Sequence, residues 1–238
     1  MTEPIRAVFF DLDDTLVGDG AVDAALLAID ELAARHPDLD TQAMRTANAT
    51  VWSGCWASRG EQWMRGELED DALTREVWRR TLSGAGAGAG AELVDEAVHL
   101  HLAAERRTFT LFDDSRDVLV ELRRRGIPIG LITNGPSTFQ REKLRTVGID
   151  GLFDVVVASG DIGVLKPDAE IFRHALDRAG AVSTASLHVG DSFPADVMGA
   201  VGAGLSAFWL NRERIAAPQD GPRHVEGDSL RSVLELVG

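Results

Sequence analysis

Three carboxylates crowd into four residues at Asp11, Asp13 and Asp14, directly after the apolar run Ala7 to Phe10. Acids this close at a strand end repel one another unless a cation neutralises them. Alternation along an extended segment sends Asp11 and Asp13 to the same side, so both can approach one reacting centre. Magnesium suits such a place, because it is a hard cation that takes oxygen ligands and pairs one or two carboxylates with substrate phosphate. An aspartate beside it can attack phosphorus and become an aspartyl phosphate. A plain acidic turn after a strand is the alternative for this segment alone.

Three later segments carry matching chemistry. Ile132-Thr133-Asn134-Gly135 ends a second apolar run and precedes a helix start at Pro136-Ser137. Hydroxyl and backbone N–H groups there can hold phosphate oxygens, although Asn-Gly also reads as an ordinary turn. Lys166 lies in Gly163-Val164-Leu165-Lys166-Pro167-Asp168, just before a helix that Pro167 is expected to begin. It is one of two lysines, with Lys143, among 24 basic residues, so a compact ammonium at this place stands out from a chain that otherwise uses arginine. The run His188 to Asp196 (HVGDSFPAD) puts Asp191 at the end of a fourth apolar strand and Asp196 about one helical turn further on. Asp191 would complete a metal's carboxylates, and Asp196 would support the loop or a metal-bound water. Capping the next helix and lying in its first turn are the structural roles open to the same two acids.

These segments need elements to position them. Short apolar runs at Ala7 to Phe10, Ile127 to Thr133, Val155 to Ala158, Leu187 to Val189 and Ala207 to Leu210 alternate with helical patterns at Ser115 to Arg125, Thr138 to Val147, Ala169 to Ala179 and Pro194 to Ala203. That rhythm predicts an α/β fold, a Rossmann-like parallel sheet with helices on both faces and its strand C-termini along one edge. Residues 19–108 break it, with helical stretches at Ala21 to Arg35, Thr41 to Trp56, Glu69 to Leu82 and Leu93 to Arg106 and no clear strand. They are expected to form an inserted α-helical domain, leaving a discontinuous core of 1–18 and 109–238. Within the insert, the Gly-Ala alternation from Ser83 to Glu92 predicts a linker between helices rather than a silk-like strand. Trp52, Trp56, Arg59 and Trp63 would share one helical face, more often an internal packing stripe than a substrate surface, and Gly54 and Gly60 argue against one unbroken helix there.

The chain has 238 residues and 45% hydrophobic composition, enough for a substantial core. Its 38 acidic residues against 24 basic ones give a net charge of −14, which makes nucleic acid and anionic membranes poor partners. An anionic substrate must then be drawn by a local positive site. A single cysteine, Cys55, and the absence of a long apolar run predict a cytoplasmic protein. A monomer or small homo-oligomer is the expected state. Cys55 reads as structural, with no basic partner in view, and the six histidines have no metal-ligand spacing and are assigned no chemistry.

The ordered set of DLDDT at 11 to 15, Thr133 after a strand, Lys166 before proline, and GDSFPAD at 190 to 196 resembles the four motifs of the haloacid-dehalogenase-like superfamily. The narrower look, through ITNG and KPDAEIF, is similar to its sugar-phosphate and N-acylneuraminate phosphatase-like members. The resemblance implies that Asp11 is the nucleophile and a magnesium ligand, and that Asp13 protonates the leaving alcohol and later deprotonates water while its backbone carbonyl binds the metal. It implies that Asp11, Leu12, Asp13, Thr133, Asn134 and Lys166 surround the phosphoryl group, that Asp191 completes the magnesium site, and that residues 19–108 are a cap that opens and closes. A second carboxylate two residues after the nucleophile supplies the proton an alkoxide needs and a halide does not, so the expected reaction is phosphomonoester hydrolysis on a small phosphorylated metabolite rather than dehalogenation. A phosphomutase shares the same intermediate. A phospho-accepting signalling module is the rival from another class; it is about half this length and keeps its acidic pair away from the acceptor.

Overall fold

The structure is a computed structural model that describes residues 4–18 and 20–237. The chain divides into two compact units, one made of Met1–Gly18 with Leu111–Gly238 and the other of Asp19–Thr110. In chain order the elements are β1 (Ala7–Phe10), β2 (Val17–Gly18), α1 (Ala21–Arg35), α2 (Thr41–Met64), α3 (Ala72–Gly84), α4 (Ala91–Thr108), β3 (Thr110–Leu111), α5 (Ser115–Arg124), β4 (Ile129–Thr133) and α6 (Ser137–Thr146). There follow β5 (Val155–Ala158), α7 (Ser159–Ile162), α8 (Ala169–Ala179), β6 (Ser186–Gly190), a π-helical turn Phe193–Met198, α9 (Gly199–Gly202), β7 (Ser206–Leu210), β8 (Val225–Gly227) and α10 (Val233–Leu236).

Six strands form one sheet in the order β5-β4-β1-β6-β7-β8, and every pairing is parallel. β1 lies inside the sheet, with Val8 opposite Ile129 of β4 and Leu187 of β6. The chain fills the sheet outward from β1 to β4 and β5, then returns to its other side for β6, β7 and β8, which makes the C-terminal end of β1 a topological switch point. All four residues of β1 are buried, as expected of a strand covered on both faces. Ala7 and Phe9 join a cluster with Phe172, Phe193, Val197 and Trp209, while Val8 and Phe10, one step out of phase, face the other side. Helix α8 shows the matching helical period, with Ile171, Phe172, Ala175 and Leu176 buried against the sheet. Burying a side chain the size of Phe172 completely contributes about 1.5–3 kcal/mol.

β1 and β5 match the expected strands, β4, β6 and β7 differ from theirs by a residue or two at their ends, and β2, β3 and β8 have no counterpart among the expected runs. Pro167 does not begin α8: Asp168 is the N-cap, its carboxylate accepting from the Glu170 N–H at 2.9 Å. The expected helix from Pro194 to Ala203 is a π-helical turn followed by a short α-helix.

The second unit is a group of four helices around Ala28, Ile29, Leu32, Met44, Trp78, Leu82, Val94 and Val98. Helix α2 runs through Gly54 and Gly60 without a break. A Cβ on Gly60 would lie 3.0 Å from the Trp56 ring, so this glycine accommodates the indole folded back over the helix. The tryptophan stripe divides: Trp52 and Trp63 pack against Cys55, Leu73 and Val77, whereas Trp56 is 45% exposed. The Gly-Ala segment joins α3 to α4 across residues 85–90, with Gly86 and Gly88 at positive φ.

Candidate active site

The chain leaves β1 in extended form long enough for the Asp11 N–H to donate to Val189 O at 2.9 Å, one step beyond the β1–β6 pairing. It then turns sharply: the Asp14 N–H donates to Val17 O, Leu16 and Val17 both donate to Leu12 O, and Asp14 takes φ 55°. The acidic residue at that left-handed position is one of the few non-glycine types that tolerate it. This turn buries Asp11 and Leu12, leaves Asp13 half-buried and exposes Asp14.

β4 ends at Thr133 and β6 at Gly190, the two neighbours of β1, so Thr133 and Asp191 are delivered to the same edge as Asp11. Lys166 arrives from the segment beyond β5. Its loop is fastened by Asn134, whose side-chain oxygen accepts from the Lys166 N–H at 2.8 Å while its amide donates to Lys166 O at 3.1 Å. The Asn134 side chain thus serves the lysine loop, and its main chain is the part left for an anion.

The Lys166 ammonium is buried and donates to Asp11 Oδ1 at 2.6 Å and to Asp196 Oδ1 at 2.7 Å. Asp196 also accepts from the Ser192 N–H at 3.0 Å and contacts His188 Nε2 at 2.9 Å. A Cβ on Gly190 would lie 2.2 Å from Asp196 Cγ, so only a glycine at the end of β6 leaves room for that carboxylate. Asp191 is held by Thr15, which donates its hydroxyl to Asp191 Oδ1 and accepts from the Asp191 N–H, each at 3.1 Å. Trp209 completes the grip by donating its indole N–H to Asp191 O at 2.8 Å. Ser192, not Asp191, caps the following turn.

The electrostatics divide the acids into unlike members. Burial raises the Asp11 carboxyl well above its ordinary range; Lys166 opposes this, but Asp196, Asp191 and Asp13 add to the rise. Burial also raises Asp196, yet Lys166 and His188 outweigh it and bring that group down to about 2. Both acids touch the same ammonium, but Asp196 has two further donors, so the negative charge settles there first. Asp191 is pushed up to about 6, chiefly by burial and then by Asp196. For Lys166, burial lowers the pKa but the two carboxylates more than reverse it, and the ammonium stays charged. His188 is lowered by burial, so it is a neutral imidazole whose Nε2–H donates to Asp196.

Asp11, Asp191 and Asp196 offer oxygens that all lie within 4.8 Å of one another. An all-oxygen set in which burial holds Asp11 and Asp191 above their ordinary range beside an ionised Asp196 fits a hard divalent cation, which would relieve the repulsion among them. Asp13 is not part of that group. Its carboxylate turns to α6, where Lys143 Nζ donates to Oδ1 at 2.6 Å and Gln140 Nε2 to Oδ2 at 2.8 Å. The same Gln140 nitrogen reaches Thr133 Oγ1 at 2.7 Å and Asn134 O at 3.0 Å.

The structure therefore brings Asp11, Lys166, Asp191 and Asp196 into one cluster at the sheet edge, and Gln140 joins Asp13 to Thr133 and to the loop at Asn134. Sequence reasoning passed over Gln140, Lys143 and His188. Lys143 carried a signal as one of two lysines, and His188 as the sole titratable residue inside an apolar strand; Gln140 carried none.

A parallel sheet with acids at the end of its inner strand, a threonine, a lysine and a second acidic loop defines a class of hydrolases. The model of the haloacid dehalogenase-like hydrolases matches residues 5–204, and the chain belongs to that family. It is 33% identical to a phosphoserine phosphatase of Thermus thermophilus over 249 residues, covering 97% of this chain and 98% of that one. It is 29% identical to the N-acylneuraminate-9-phosphatase of Homo sapiens, covering 98% and 92%. Among solved structures, a 2-haloacid dehalogenase from Pseudomonas syringae superposes with a TM-score of 0.72 at 27% identity, over 98% of this chain and 97% of the other. Among the described residues no helix is long and apolar enough to cross a membrane.

Proposed function

We propose that the protein is a magnesium-dependent phosphatase that hydrolyses a small phosphomonoester through an aspartyl phosphate on Asp11. The observation that carries this reading is the buried Lys166 ammonium, 2.6 Å from Asp11 and 2.7 Å from Asp196. It is a fixed positive charge beside a carboxylate nucleophile, in a chain whose overall field of −14 would otherwise repel a phosphate. The names of the two relatives are in keeping with it.

Asp11 would attack phosphorus as the bond to the ester oxygen breaks, and Asp13 would give its proton to that oxygen to release the alcohol. Asp13, now a carboxylate, would take a proton from water as the water oxygen attacks phosphorus; the bond to Asp11 then breaks and phosphate leaves. Lys166, the Thr133 hydroxyl and the main-chain N–H groups of Leu12 and Asn134 would hold the phosphoryl oxygens through both steps. Asp11, Asp191 and the main-chain carbonyl of Asp13 would hold magnesium, with Asp196 fixing the loop beside it. When bound, the ion supplies charge compensation for the phosphoryl group. Residues 19–108 would act as the cap that screens substrates. The acid at position 13 supports an alcohol leaving group over a halide, which departs without a proton.

The test is phosphate release from 4-nitrophenyl phosphate with magnesium. Wild type is expected to turn over, and Asp11→Asn to lose at least roughly a thousandfold in kcat as expected for a nucleophile. Turnover that survives in Asp11→Asn overturns the proposal.

A further inference from the structure

Asp13 departs from its acidic neighbours. Asp11, Asp191 and Asp196 converge within 4.8 Å, but the Asp13 carboxylate is drawn aside by two residues one helical turn apart on α6, Gln140 and Lys143. Each takes a different oxygen, which fixes the plane of the carboxylate as well as its position. Both holders are themselves held. Gln140 is 1% exposed, and the site of a Cβ on Gly135 lies 2.9 Å from its Cδ, so the glycine of the Thr-Asn-Gly turn makes room for it. Lys143 has its ammonium 4.7 Å from the centre of the Phe139 ring, one turn earlier on the same helix.

We propose that Gln140 and Lys143 are positioning residues for the proton-transfer carboxylate, and that Lys143 is what separates the proton carrier of the DLDD turn from the acids that face a cation. This rests on the reading of Asp13 as acid and base given above. A short, flexible ammonium can follow a carboxylate that moves by a fraction of an ångström, and it is a lysine in a chain of 22 arginines. Gln140 holds the other oxygen of Asp13 through its amide nitrogen, which also reaches Asn134 O. Its Oε1 is buried with no hydrogen-bond partner among the described residues, which leaves that acceptor unclaimed. Through its contact with Thr133 Oγ1, Gln140 also ties the place of the proton to the place of the phosphoryl group.

The experiment compares kcat/KM for a simple alkyl phosphate and for 2,4-dinitrophenyl phosphate, whose leaving group needs no proton. Lys143→Met and, separately, Gln140→Met are expected to lower the alkyl ester by roughly 10–100-fold, as for a misplaced acid, and the dinitrophenyl ester by less than about threefold. Lys143→Arg should recover part of the alkyl rate, and Lys143→Met in an Asp13→Asn background should cost little more. Equal losses on both esters in the folded variants, or no loss in either, would overturn the proposal. If Lys143→Met does not fold, Gln140→Met decides by the same ratio. The Proposed function fails separately: in that case wild type itself hydrolyses neither ester, or Asp13→Asn shows no dependence on leaving group.

Discussion

Replacing Asp191 with asparagine should stabilise the metal-free protein at neutral pH. The carboxyl sits at about 6 in the fold against 3.8 for its ordinary value, with burial the largest cause. An acid raised by folding contributes its full stability below 3.8 and loses it as pH rises through about 6, because the fold must then accommodate a charge that water would solvate better. Two units at 1.36 kcal/mol each give roughly 3 kcal/mol above pH 6.5 as an order of magnitude. Asparagine keeps an oxygen for the Thr15 hydroxyl and carries no charge. The assay is urea denaturation of wild type and Asp191→Asn in chelator at pH 4.5, 6 and 7.5. The variant is expected to lead by about 2–3 kcal/mol at pH 7.5 and by about 1 kcal/mol or less at pH 4.5. His188, which burial also shifts, is common to both proteins and cancels in the difference. Magnesium should then reverse the order, since a ligand at a hundred times its dissociation constant stabilises by about 2.7 kcal/mol and the variant loses a ligand. A variant less stable than wild type by the same amount at all three pH values, with or without magnesium, would refute the reasoning.

Other perturbations read different parts of the cluster. Lys166→Met leaves Asp11 and Asp196 buried beside each other without their shared cation, and chemical denaturation at pH 7.5 should show a loss of about 3–5 kcal/mol that narrows on acidification. Gly190→Ala drives a methyl against Asp196, 2.2 Å from its Cγ; a loss of about 1–3 kcal/mol is expected in thermal or urea melts, together with a fall in kcat. Thr15→Val keeps the side-chain shape but strips Asp191 of its hydroxyl partner. Isothermal titration should find magnesium bound about tenfold or more weakly, in line with the loss of a group that orients a ligand.

The strand-end residues were legible because a strand announces its end: a short apolar run followed by Asp, Thr-Asn-Gly or Gly-Asp places the next side chain at the sheet edge without knowledge of the rest. Asp11, Thr133 and Asp191 were read that way, and Lys166 through its rarity. Residues that act from the side of a helix were not. Which face of α6 meets the acidic turn depends on how the helix packs; Gln140 looks like any polar helix residue, and the rarity of Lys143 does not say which way it faces. His188 was hidden for the opposite reason, since one imidazole within an apolar strand reads as a core residue until its partner, Asp196, is seen beneath it. Two glycines weigh against an unbroken α2 in propensity, whereas the packing of the four-helix unit and the Trp56 ring over Gly60 carry the helix through to Met64.

The inner position of β1 has a consequence for how the molecule is made. Val8 finds both of its partners, Ile129 and Leu187, more than a hundred residues downstream. During synthesis the acidic turn must therefore wait, unpaired and apolar on its upstream side, while the helical insertion emerges with a hydrophobic cluster of its own. Asp11 is thus translated before either strand that flanks β1 and seated only after both, and a ribosome stalled between β4 and β6 would carry a sheet that still lacks its second acidic loop.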